Sequence, residues 1–111
     1  MNADRAANGL APLSWSDQLG GIAQNWAGVI AQNGSLTHQD MNAMAARTGF
    51  SKTGENLLYA PADYIALQME ASWMNSPGHR ANILDPAFSV AGVGLATAAD
   101  GSIWVAVDFG G

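Results

Sequence analysis

Cysteine is absent from the 111 residues, which rules out both a disulfide framework and a thiolate metal site. That absence is compatible with any compartment, an oxidising one included. Basic residues are almost as scarce: four Lys and Arg against nine Asp and Glu leave a net charge of −5. Surfaces that bind nucleic acid or anionic membranes are built from Lys and Arg, so neither partner fits. No stretch of ~20 apolar residues is present to form a transmembrane segment. Charged residues make up only 12% of the chain and hydrophobic ones 49%, the opposite of a disordered composition. What remains is a single domain over residues 1–111, with one core and no feature that demands a partner subunit, so a monomer is expected. The chain opens inside a helix-like pattern, MNADRAANGL, with no signal peptide, which predicts a domain cut from a longer secreted precursor.

Within that domain, caps and stops mark the elements. Asn2 to Asn8 reads as a short helix stopped by Gly9, followed by LAPLSW as a connector whose Trp15 is exposed. Ser16 caps a long helix to about Asn33, with Asp17 at its positive end and Gly34 closing it. Its residues Leu19, Ile22, Ala23, Trp26, Val29 and Ile30 recur at helical spacing as one buried stripe. Met41 to Arg47 reads as a further short helix ended by Gly49, and Phe50 to Tyr59 as extended chain. Pro61 suits the first position of a helix to about Asn75. Two apolar rows on that helix, one through Ile65, Met69 and Trp73 and one through Tyr64, Leu67, Ala71 and Met74, predict cover on most sides.

The last quarter reads as a hairpin. Ser89 to Ala98 and Ser102 to Phe109 flank an Asp100-Gly101 turn signal. Ile103, Val105, Val107 and Phe109 alternate with Trp104 and Ala106, so both faces of the second strand are apolar and both need covering. Gly92 and Gly94 leave one face of the first strand bare, as close approach of another backbone requires. The fold class that follows is α/β, a three-layer α/β/α sandwich around a small antiparallel sheet.

The stretch SWMNSPGHRANIL carries the chemistry. Ser76 ends one helix and caps the next, with Pro77 at the first position of the new helix and His79 in its first turn. A helix start disfavours imidazolium, so His79 is expected to be neutral near pH 7 and able to ligate a metal or accept a proton. Taken in order, RAANGLAPLSW, LTH, GENL, SWMNSPGHRANIL, VAGVGLA and WVAVDFG resemble the CAP domain, nearest to its small, cysteine-free bacterial members. This is the module of cysteine-rich secretory proteins, venom allergens and plant pathogenesis-related proteins. The resemblance covers nearly the whole chain and implies the same sandwich fold.

It also implies a cleft lined by two histidines and two glutamates that holds a divalent metal in some members. The histidines correspond to His38 and His79 and the first glutamate to Glu55, whereas the second glutamate's place is taken by Ser76. The candidate site is therefore His38, Glu55 and His79, the same three being the candidate metal ligands for a divalent cation such as Zn2+. Two histidines and a carboxylate with an open position resemble catalytic zinc sites. The alternative is a polar network that braces three elements. Asp40, two residues after His38, is a weaker ligand candidate, and Arg80 reads as the partner of a surface acid.

Family resemblance implies an extracellular binding module for a metal, a small apolar ligand, a lipid or a cell-envelope component. A metal-dependent hydrolase using the same His/Glu cleft is the alternative.

Overall fold

A computed structural model describes residues 1–111. The elements run α1 (Asn2–Ala7), β1 (Ser14–Trp15), α2 (Asp17–Asn33), α3 (Met41–Thr48), β2 (Thr53–Ala60), α4 (Ala66–Met74), α5 (Pro77–Ile83), β3 (Val90–Thr97) and β4 (Ile103–Gly110). The caps act where the residue types place them. The Ser16 hydroxyl accepts from the Leu19 N–H at 3.1 Å, and Gly34 closes α2 in the left-handed conformation at φ 64°.

The sheet order is β1-β3-β4-β2, with β3, β4 and β2 antiparallel. β4 is buried at every residue, as its two apolar faces require. One face receives α2 through Ala23, Ala27 and Ile30, which meet Leu57, Trp104 and Ala106. The other face is covered by Met69 and Trp73 of α4, Ile83 of α5 and Phe88, packed on Ile103, Val105, Val107 and Phe109. The layers are therefore helix, sheet, helix.

Three details depart from the sequence reading. Ser14 and Trp15 pair parallel with Val90 and Ala91, through Ser14 N–H to the Ser89 carbonyl and Ser16 N–H to the Ala91 carbonyl. The sheet is thus mixed, with a two-residue strand in what reads as a connector. The helix after β2 starts at Ala66 rather than at Pro61, because Pro61 to Tyr64 close a turn and Gln68 Oε1 accepts from the Ile65 N–H at 2.9 Å. Finally, α4 buries only Met69 and Trp73 and leaves Leu67 77% exposed, so the expected cover on most sides is missing.

Arg5, 1% exposed, ties the ends of the layer together. Its guanidinium donates to the carbonyls of Ala11, Ile83, Asp85 and Phe88 at 2.8–3.1 Å. On the edge of β3 beyond Trp15, Gln24 Nε2 donates to the Leu95 carbonyl at 2.8 Å while Leu95 N–H donates to Gln24 Oε1 at 3.0 Å. No helix is long and apolar enough to cross a membrane.

The bare strand face meets backbone, as its glycines suggest. A Cβ on Gly92 would fall inside contact distance of the Leu19–Gly20 main chain, and one on Gly94 would strike Gln24 main-chain atoms. Main chain cannot rotate aside as a side chain does. Gly92→Val is expected to destabilise by at least the ~1–3 kcal/mol of an overpacked core, read as a fall in Tm. An unchanged Tm would show that α2 lies farther from β3 than described.

Candidate functional site

β2 is an edge strand, and the candidate residues gather around it from both sides of the sheet. On the α2 side, the segment between α2 and α3 is pinned by the Trp26 indole N–H, which donates to the Thr37 carbonyl at 2.8 Å. It is pinned again by Asp40, whose Oδ1 accepts from the N–H groups of Asn42 and Ala43. Asp40 is therefore the cap of α3, and its carboxylate is committed to that role. His38 hangs between these anchors with its Nδ1 2.8 Å from Glu55 Oε1. From the other side, α5 brings His79, whose carbonyl accepts from Asn56 Nδ2 at 3.0 Å. Asn82 extends the brace, donating from Nδ2 to Asn56 Oδ1 and to the Glu55 carbonyl. GEN and ANIL thus supply the two asparagines that fasten α5 to β2.

Glu55 is 5% exposed and accepts three N–H donors: His38 Nδ1, the Gln39 main chain at 3.2 Å, and Gln39 Nε2 at 2.6 Å. The same Gln39 Nε2 also donates to Asp108 Oδ2 at 2.9 Å. Asp108 stands opposite Glu55 in the β2–β4 register and is completely buried. Its pKa is pushed up to about 9, first by burial, then by the hydrogen bond to Glu55 and that residue's negative charge. Oδ1 of Asp108 faces no N–H or O–H donor. A proton on Asp108 avoids a second buried negative charge beside Glu55.

Asp108 and Gln39 are the members of the site that motif reasoning passes over. One signal was present, since alternation in WVAVDFG puts an acid on the same buried face as Trp104 and Ala106.

His79 meets the others less directly. Its Nδ1 lies 3.0 Å from the Ser76 hydroxyl, and its pKa is lowered by burial and then by the charge of His38. The rings are therefore electrostatic neighbours, while only one of them, His38, contacts Glu55. No three His, Asp or Glu side chains converge where they could hold one ion. Each imidazole has its Nδ1 engaged by an oxygen and its Nε2 without a protein partner, so these two nitrogens are the ones left to meet a ligand. Glu55 orients His38 in that arrangement, as carboxylates commonly do for ligating histidines. Arg80 is exposed and makes no ion pair, so the expected surface acid is not beside it.

The model for the cysteine-rich secretory protein family, CAP, matches residues 1–109. The chain belongs to the CAP family. It is 36% identical over 110 residues to the uncharacterized Bacillus subtilis protein YkwD, covering 93% of this chain and 41% of that protein. Among solved structures, an outer surface protein of Borrelia burgdorferi superposes with a TM-score of 0.85 at 22% identity, over 98% of this chain and 84% of that one. An extracellular SCP-domain protein of Bacillus anthracis gives 0.80 at 25% identity, over 98% of this chain and 37% of that one. The chain spans less than half the length of the Bacillus subtilis relative.

In this CAP domain the largest cavity lies far from His38, at the opposite edge of the sheet. It is a groove of about 800 Å3 between α1, β1 and α4, with twelve of its fifteen lining residues apolar. Val93, Leu95, Val105 and Val107 form its floor, Met69 and Trp73 one wall, and the 61% exposed Trp15 its rim. Glu70 is its one acid, with a pKa raised first by burial and next by the neighbouring Asp4.

The raised pKa of Asp108 makes a prediction with a definite sign. Its folded pKa lies above the ordinary 3.8, so the folded state holds an extra proton between pH 3.8 and about 9. Stability from this group is complete below that window and is lost as pH rises through it. Asp108→Asn, an uncharged isostere that still accepts from Gln39, is expected to flatten this decline and raise Tm at pH 8. Denaturant midpoints measured across pH 5 to 9 check it, and parallel curves for the two proteins would contradict it.

Proposed function

We propose that this CAP domain is a secreted binding module whose main ligand is an apolar small molecule of lipid size, held in the groove beside α4. The groove itself carries this reading: a large open cavity, apolar on twelve of fifteen residues, with main-chain strands as a rigid floor. Its volume falls in the ordinary range for ligand pockets, about 300–1,000 Å3. An extracellular location is in keeping with the Bacillus anthracis and Borrelia burgdorferi neighbours. Saturable uptake of a fluorescent fatty acid or sterol, indifferent to chelator, is the expected result. Val93, partly exposed on the groove floor, is the residue to change. Val93→Glu should weaken uptake at least tenfold, about 1.4 kcal/mol, by placing a charge against the ligand. No saturable uptake by the wild type would sink the reading.

The paired imidazoles favour a second ligand, a divalent cation such as zinc at the His38–His79 cleft. When bound, such an ion supplies positive charge and lowers the pKa of its water, which is also what the alternative hydrolase reading needs. The chain's own contribution is two oriented nitrogens, one held by Glu55 and one by Ser76. Zinc binding followed by calorimetry should weaken on acidification, since both rings must be neutral. At ~100 times its dissociation constant zinc should stabilise the fold by about 2.7 kcal/mol. His38→Ala and His79→Ala should each abolish that shift. A wild type indifferent to zinc would leave the trio as a structural brace. Ester turnover that dies with chelator would instead establish the hydrolase.

A further inference from the structure

The two histidines of the cleft are held by chemically different partners. His38 Nδ1 faces a carboxylate oxygen of Glu55 at 2.8 Å, and a carboxylate can only accept. The proton of a neutral His38 must therefore sit on Nδ1, and its Nε2 presents a lone pair. His79 Nδ1 faces the Ser76 hydroxyl at 3.0 Å, and a hydroxyl donates or accepts equally well.

Ser76 occupies the cap position of α5, yet its side chain caps nothing there. Ser16 and Asp40 stand in the same position on α2 and α3, and both accept from helix N–H groups. The Ser76 side chain is turned to the ring instead. The main chain of His79 is fixed independently, through its carbonyl and Asn56 Nδ2, which is braced by Asn82. What remains free in His79 is the position of its proton.

We propose that Ser76 is a positioning residue that makes His79 a two-way group, presenting at Nε2 either a lone pair or an N–H as the ligand demands. With the proton on Nδ1, both rings offer lone pairs and suit a cation. With the proton on Nε2, the cleft offers one acceptor and one donor, which matches the hydroxyl of a water, an alcohol or a sugar. The inference concerns the cleft of the second reading above and deepens it.

Nitrogen-15 NMR of histidine-labelled protein, at about pH 8 and so above the ordinary imidazole range, reads the tautomers directly. Without metal, His38 is expected as a single Nδ1–H tautomer, and His79 with both nitrogen shifts intermediate between the two forms. Ser76→Ala should move the His79 shifts and leave those of His38. Ser76→Thr, which keeps the hydroxyl, should restore the wild-type pattern. Ser76→Asp should collapse His79 to the Nδ1–H form. Zinc titrated into the wild type should drive His79 to the same form, and Ser76→Ala should bind zinc about tenfold more weakly, the lower end for a lost orienting partner.

A single His79 tautomer in the metal-free wild type overturns the inference. So do unchanged populations in Ser76→Ala, or in Ser76→Asp should the alanine variant fail to fold. A wild type that shows no zinc response overturns the cation reading, while the metal-free spectra still decide this one.

Discussion

The close seating of α2 on β3 is the contact from which the rest of the fold takes its position. At Gly92 and Gly94 the helix main chain lies where side chains would otherwise stand. This approach sets the depth of the whole α2 layer and hence where the chain leaves that helix at Gly34. From there Trp26 and the Asp40 cap carry the next six residues across to β2, which places His38 against Glu55. A shift of the helix by the width of a methyl group would propagate to that hydrogen bond, because interiors packed to crystal-like density transmit strain.

Charge is handled in the core by bonds rather than by counter-ions. Arg5 is satisfied by four main-chain carbonyls, with no carboxylate in contact. Glu55 and Asp108 carry at most one negative charge between them at neutral pH, since two adjacent carboxylates in a buried site cannot both ionise cheaply. Gln39 spans both acids with a single amide nitrogen. The His38 ring is therefore the exposed end of a chain of hydrogen bonds whose other end is completely buried.

Much of this was legible in the residues, and what was not has physical reasons. The α2 caps, the Asp100-Gly101 hairpin and the two strand glycines are local signals, each set within a few residues, and the structure has them where they read. The α2 stripe shifted slightly: Ala27 is buried whereas Trp26 is half-exposed, because the indole leans out to hold Thr37. Pro61 is as compatible with a turn as with a helix start, and only the Gln68 side chain decides between them. The strand at Ser14 and Trp15 is too short for any periodicity. His38, Glu55 and His79 come from three separate elements, so motif order could nominate them but could not say which oxygen each ring would face. Asp108 joins them through a pairing with β2 across 53 positions of sequence, beyond any local pattern.

The free stretch of β3 carries one more implication. Past its short pairing with β1, this strand could template a neighbour's backbone, the usual route from an open sheet to self-association. Gln24 closes the opening with a primary amide, whose C=O and N–H imitate the peptide unit of an absent strand at Leu95. An incoming chain would have to displace an intramolecular partner that is always at hand. The domain thus keeps an apolar groove open beside a sheet edge without making that edge adhesive, and it does so with no charge on that edge.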